Sequence, residues 1–126
     1  MINFTKTAVA ITAPLILSAC VTLPSFYDDN ESRISVDVRL AVEQLDCTEP
    51  TAPQVKRIKD AVDWFVLYND SKGSSDIVAL TRPMQETADS FYTRSLSGAT
   101  EGYCNIKKKV LQQQSKTIAS TVMGRY

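Results

Sequence analysis

In four separate stretches of this chain, apolar residues recur three or four positions apart, the spacing that places them on one face of an α-helix. The predicted helices cover residues 32–46, 53–68, 76–96 and 100–123. Prolines separate the first two helices, and runs containing Gly and Ser end the second and the third. Amphipathic segments joined by short turns predict an all-α protein, an up-and-down bundle of about four helices.

The predicted helix ends carry their own sequence signals. Asn30 or Ser32 is suited to cap the first helix, and Thr51 with Gln54 has the spacing of a capping box before the second. Pro83 lies inside the third helical segment. Because proline removes a backbone N–H, we expect it to kink this helix or to restart it.

The first twenty residues have the pattern of a bacterial secretion signal. Lys6 and the amino terminus supply positive charge, and residues 8–17 form an apolar run that is too short to cross about 30 Å of hydrocarbon. The run ends in Leu-Ser-Ala-Cys at residues 17–20. This motif resembles the lipobox of bacterial lipoproteins.

The lipobox resemblance implies a signal peptide over residues 1–19 and a mature chain that begins with an acylated Cys20. Several acyl chains on one residue hold a protein stably on a bilayer. Val21 stands in place of the aspartate that retains such lipoproteins in the inner membrane. The resemblance therefore implies an outer-membrane anchor on the periplasmic side. The alternative is an ordinary signal peptide in which the cysteine is incidental.

Residues 20–30 are predicted to form a tether between the lipid and a bundle domain of residues 31–126, because they have no helical period and contain Pro24. Phe26 and Tyr27 are expected to make the first packing contacts of the domain, and the alternative is a position at the membrane interface. The acidic residues near the end of the tether are interpreted as solvated charges in preference to a divalent-cation site.

With Cys20 acylated, Cys47 and Cys104 remain as an even pair in an oxidising compartment, which predicts a disulfide. Cys47 ends the first predicted helix and Cys104 opens the fourth, so an up-and-down bundle places both at the same end. Two unrelated buried thiols are the alternative. The separation of 57 residues and the absence of histidine exclude a CxxC redox or zinc arrangement.

The lack of histidine also removes the commonest general base and metal ligand. The glycines are scattered and form no phosphate-binding loop. Two carboxylate pairs at helical spacing, Asp60 with Asp63 and Glu86 with Asp89, are interpreted as solvated helix faces in preference to a glycosidase-like site. We therefore expect no catalytic residue, no metal, no cofactor and no enzymatic activity.

Residues 102–126 carry basic side chains and no acidic one. Within them Lys107, Lys108 and Lys109 form the candidate partner-binding segment, which would contact membrane headgroups, peptidoglycan carboxylates or an acidic protein. The alternative is that these charges neutralise the acidic remainder of the bundle. Nucleic acid is not expected, because the net charge is zero and no aromatic residues alternate with the lysines.

Trp64 is a weaker partner-binding candidate. A lone tryptophan in a small bundle is expected in the core, and the alternative is an exposed anchor for a partner, since tryptophan contributes strongly to interfaces. Further along, Cys104, Leu111, Ile118 and Val122 are predicted to share one side of the last helix. The polar residues 112–117 are expected to surround that helix, so if it continues straight, Ile118, Val122 and Met123 form a separate apolar patch, and the alternative is a weakly packed end.

The lipobox, the short mature chain and the pair Cys47 and Cys104 together resemble two classes of phage lipoprotein. One is the outer spanin, the lipid-anchored subunit of a complex that bridges the periplasm during host lysis. The other is the superinfection-exclusion lipoprotein, which blocks a receptor. A host envelope lipoprotein shares these features. A spanin-like subunit that contacts an inner-membrane protein is the first prediction, because an outer-membrane anchor and a basic last helix suit such a contact.

Overall fold

A computed structural model describes residues 27–125, whose regular elements are all α-helices. They are α1, Asp29–Glu43; α2, Thr51–Ser71; α3, Ser75–Leu96; and α4, Glu101–Met123. The prediction of an all-α bundle is confirmed for this part of the chain. None of the four described helices combines the length and the apolarity that crossing a bilayer requires.

Each helix packs against its neighbour in the chain, and α1 also packs against α4, which closes an up-and-down bundle. The bundle has two distinct ends. The entry pole contains the start of α1, where the described chain begins, together with the end of α2, the start of α3 and the end of α4. The disulfide pole contains the four opposite helix ends and the bond between Cys47 and Cys104.

The predicted disulfide is confirmed. Cys47 and Cys104 are bonded, with their Cα atoms 5.6 Å apart and the Cys104 side chain inside the core. The bond joins the segment after α1 to the first turn of α4 and spans 57 residues. A cross-link of this span restricts the unfolded chain and stabilises the fold by about 4 kcal/mol.

The apolar stripes of the four helices meet in one core, with Phe65 and Phe91 as its largest members. Its other buried side chains are Ile34, Val38, Val42, Leu45, Val55, Ile58, Val62, Ile77, Met84, Ala88, Cys104, Leu111, Ile118 and Val122. Because α4 packs along its whole length, Ile118 and Val122 belong to this core. The prediction of a separate apolar patch is therefore wrong, and of its three members only Met123 is exposed.

Helix α1 begins at Asp29, before the predicted start at residue 32. Its N-cap is Asp28, whose carboxylate accepts a hydrogen bond from the backbone N–H of Asn30 at 2.8 Å. Asn30 is already helical, so neither Asn30 nor Ser32 is the cap. The last residues assigned to the tether therefore belong to the bundle.

The predicted capping box before α2 is wrong. Thr51 is the first helical residue, and the N-cap, Pro50, has no side-chain hydrogen bond. The Gln54 amide instead accepts from the Asp46 N–H at 2.8 Å and donates to the carbonyls of Asp46 and Pro50, each at 2.9 Å. Gln54 thereby closes the turn between α1 and α2.

Helix α3 passes through Pro83 without a restart, so that alternative is wrong. Pro83 has no N–H to donate to the carbonyl of Ala79, one turn earlier. Both residues lie on the exposed side of α3, where water can satisfy this carbonyl. The proline is therefore tolerated inside a single helix.

Candidate partner-binding site

Charged side chains connect all four helix ends at the entry pole. Glu31 of α1, with its side chain 1% exposed, lies between Lys72 after α2 and Arg125 after α4. The Arg125 guanidinium is 3.3 Å from the Glu31 carboxylate and also pairs with Asp76 at the start of α3. Arg125 thus neutralises buried acid within the bundle, as the alternative interpretation of the basic C-terminal residues expected.

Asp28 extends this ionic contact toward α2. Its carboxylate accepts hydrogen bonds from the Tyr68 hydroxyl at 2.6 Å and from the Lys72 ammonium at 3.1 Å. The bond from Tyr68, and then that from Lys72, lowers the Asp28 pKa from 3.8 to about 2. Asp28 therefore stays ionised well below neutral pH and ties the start of α1 to the end of α2.

The three adjacent lysines of α4 have three different environments. The Lys108 ammonium donates to the backbone carbonyl of Leu45, after the end of α1, at 2.6 Å. The Lys107 ammonium lies 5.6 Å from the centre of the Tyr103 ring. Lys109 is exposed and has no hydrogen bond or ion pair with any described residue. The structure therefore divides the candidate segment: Lys108 is bonded within the bundle, Lys107 is half-buried against Tyr103, and Lys109 is exposed.

A second cation shares the Tyr103 ring with Lys107. The Arg94 guanidinium, from the last turn of α3, lies 5.8 Å from the ring centre. Tyr103 is itself held edge-on against the core residue Phe91, with ring centres 5.7 Å apart. We call Arg94, Tyr103 and Lys107 the Tyr103 cation site. Within the described residues neither cation is paired with a carboxylate.

Apolar side chains of α4 are exposed beside this site. Ile106 is 64% exposed and Val110, one turn later, is 39% exposed. Lys109 lies between them in sequence and is also exposed. An exposed apolar pair therefore lies next to cations that no described carboxylate pairs.

Trp64 lies on the surface and not in the core, and 58% of it is exposed. It lines an open groove between α1 and α2, with a volume of about 270 Å³, which also includes Arg33, Asp37 and Tyr68. The expectation of a core tryptophan is therefore wrong, because the α2 positions that face the core are those of Val62 and Phe65. We call this feature the Trp64 groove.

The Trp64 groove and the lysines do not form one site. The groove extends from Asn30 to Val38 along α1, from the entry pole past the middle of the helix, whereas Lys107 lies in the second turn of α4, near the disulfide pole. The residues singled out in the sequence therefore belong to two separate surfaces. Arg94 was not among them, because it comes from a different helix and reaches Tyr103 only through the packing of α3 on α4.

The carboxylate pairs considered in the sequence are mostly engaged in ion pairs. Asp60 pairs with Lys56 at 2.7 Å and Asp63 with Lys59 at 2.6 Å, while Lys59 also lies 3.3 Å from Asp89. The hydrogen bond that Lys59 donates to Asp63 raises the Lys59 pKa, although burial opposes it. Among residues 27–125, no three side chains of Cys, Asp or Glu are grouped so as to hold a metal ion.

No protein family, no curated protein and no solved structure matches the chain. Cys20, the predicted signal peptide and Phe26 lie outside the described residues, so the lipobox interpretation remains a prediction. Tyr27, expected to pack, is exposed at the start of the described chain. Function therefore has to be inferred from the two surfaces themselves.

Proposed function

We propose that this protein is an outer-membrane lipoprotein on the periplasmic side that works by contact rather than by catalysis, as a spanin-like subunit bridging the envelope. In this proposal Cys20 carries the lipid and the disulfide pole binds an acidic segment of a second envelope protein. The Tyr103 cation site is the observation that carries the proposal.

The position of that site supports a partner away from the anchor. The chain enters the bundle at Tyr27, six residues after Val21 and directly at the entry pole. The Tyr103 cation site lies at the other end of α4, a helix of 23 residues that extends for about 35 Å. A lipid on Cys20 thus holds the entry pole near the membrane, and an upright bundle presents the cations to the periplasm.

The chemistry of the site favours a carboxylate-rich partner. Arg94 and Lys107 are like charges gathered around one ring, and a bound anion relieves their repulsion. The planar Arg94 guanidinium suits the two oxygens of a carboxylate, and Ile106 and Val110 offer apolar contact beside it. An acidic, amphipathic protein segment satisfies both features.

The experiment is co-purification from envelopes after cross-linking, with the double variant Arg94→Gln, Lys107→Gln and the control Lys116→Gln. Lys116 is an exposed lysine of α4 outside the site. We expect the double variant to lose most of its cross-linked partner, and the loss to resemble that produced by high salt in the wild type. The control should behave as wild type.

The identity of the captured protein tests the bridging role. An inner-membrane protein with a periplasmic segment supports the spanin-like subunit, whereas an outer-membrane receptor indicates superinfection exclusion. Undiminished capture by the double variant would contradict the proposed contact surface.

A further inference from the structure

The Trp64 groove combines an exposed aromatic ring with an apolar floor. Trp64 stands on α2 at one side, and the nearly buried Ile34 and Val38 of α1 line the groove together with Ala61. The Tyr68 hydroxyl at one end is already bonded to Asp28. The groove therefore offers an aromatic surface that is more than half exposed, with Trp64 at 58%.

The charged side chains of the groove carry no internal partner. Arg33 and Asp37 lie one turn apart on α1, and neither forms a hydrogen bond or an ion pair with another described residue. Together they bring one positive and one negative charge, so the groove has no net charge. The Arg33 guanidinium can therefore donate hydrogen bonds to a ligand, and the Asp37 carboxylate can accept them.

These groups discriminate among classes of ligand. An apolar helix laid over the groove would desolvate Arg33 and Asp37 without pairing them, which is costly. An anion would meet Asp37, and a cation would meet Arg33, so either gains little net attraction. A neutral ligand with several hydroxyl groups can accept from Arg33 and donate to Asp37 at once.

We propose that the Trp64 groove binds a neutral carbohydrate. The apolar face of a sugar ring stacks on the Trp64 indole, and hydroxyl groups on its edge bond to Arg33 and Asp37. This inference goes beyond the contact function of the disulfide pole and requires neither the lipid anchor nor the acidic partner.

A second groove provides an internal comparison. It has the same volume of about 270 Å³ but lies at the disulfide pole, lined by Cys47, Glu49, Pro50 and Ser95 among others, with no aromatic ring. Size alone therefore does not distinguish the two grooves. Of these two, only the Trp64 groove combines an exposed aromatic ring with charges of opposite sign that are unpaired within the described residues.

The chain contains a single tryptophan, so its fluorescence reports directly on the groove. The whole protein in detergent is titrated with tri-N-acetylglucosamine and, separately, with maltotriose. We expect a saturable change in tryptophan emission with at least one of them. Asp37→Asn and Arg33→Gln should each weaken binding about tenfold, because each loses a hydrogen bond to a charged group.

Two controls keep this test independent of the proposed contact. Lys116→Gln, and the double variant Arg94→Gln, Lys107→Gln, should bind the sugar as the wild type does. Trp64→Ala, followed by calorimetry, should abolish binding. The proposal is overturned by the absence of saturable binding of both sugars at millimolar concentration, or by Asp37→Asn and Arg33→Gln variants that bind as tightly as wild type.

Discussion

The two poles of the bundle hold their four helix ends by different means. At the entry pole Glu31, Lys72, Arg125 and Asp28 are bonded to one another, so their charges are used within the fold. At the disulfide pole the covalent bond between Cys47 and Cys104 joins the segment after α1 to α4, and hydrogen bonds of Gln54 and Lys108 add to it.

The consequence concerns function. Because the disulfide pole does not depend on ion pairs for its cohesion, Arg94 and Lys107 can remain without carboxylates there. At the entry pole Asp28, Glu31, Lys72 and Arg125 are paired within the fold, so these four charges are not available to a partner. The entry pole therefore uses these charges for cohesion, whereas the disulfide pole leaves Arg94 and Lys107 without carboxylate partners among the described residues.

The largest loss of stability is predicted for removal of the disulfide between Cys47 and Cys104. The double variant Cys47→Ala, Cys104→Ala should lose about 4 kcal/mol of stability, because its unfolded chain gains the entropy of an open loop. For a domain of this size we expect a fall in melting temperature of roughly 15–30 °C in thermal melts followed by circular dichroism. Labelling of both cysteines as free thiols in native, unreduced wild-type protein would contradict the assignment.

A slightly smaller loss of stability is expected when the ion pairs of Glu31 at the entry pole are removed. Glu31→Gln removes the buried charge that Lys72 and Arg125 share, and the loss of this pairing should cost about 3 kcal/mol in denaturant unfolding. Lys72 keeps Asp28 as a partner, and Arg125 keeps Asp76. Glu86, which is exposed and unpaired within the described residues, provides the matched control. Equal stability of Glu31→Gln and Glu86→Gln would show that the entry pole is not braced by its charges.

The entry pole should also respond to acid. The Asp28 pKa is about 2 in the folded protein against 3.8 for an unperturbed aspartate, so ionised Asp28 stabilises the fold by about 2 kcal/mol above pH 3.8. This contribution disappears as the pH falls from 3.8 to about 2. Asp28→Asn keeps a capping side chain and should lack that part of the pH dependence in unfolding experiments. Identical pH profiles for the variant and the wild type would refute the assignment.

The smallest effect distinguishes adjacent lysines at the disulfide pole. Lys108→Met loses the bond to the Leu45 carbonyl and should lower stability by about 1 kcal/mol. Lys109→Met, one residue further, should change stability by less than about 0.5 kcal/mol. Chemical denaturation of both variants measures the difference, and a reversed order would contradict the assigned roles.

The sequence predicted the helices and the disulfide because both depend on local patterns or on the order of elements. The inner stripes of α2 and α4 follow from apolar spacing alone, which is also sufficient to place Trp64 off the stripe of Val62 and Phe65. Trp64 was nevertheless expected in the core, because a lone tryptophan in a small bundle is usually buried there.

The remaining features depend on tertiary packing. Gln54 bonds to Asp46 across a turn, and Arg94 reaches the Tyr103 ring only because α3 packs beside α4. Spacing along one helix cannot show either contact. For the same reason the lysines of α4 were predicted to act as one cluster, although in the structure Lys108 is bonded to the Leu45 carbonyl after the end of α1.

The central claim, that contact occurs at the disulfide pole, is tested most directly by a photo-cross-linking residue placed at each pole in intact envelopes. Ile106, exposed about one turn from Tyr103 on α4, reports on the disulfide pole, and Asp70, exposed near the end of α2, reports on the entry pole. We expect the probe at Ile106 to capture an envelope protein through an acidic segment, and the probe at Asp70 not to do so. Capture of the partner at Asp70 alone, or equally at both positions, would contradict it.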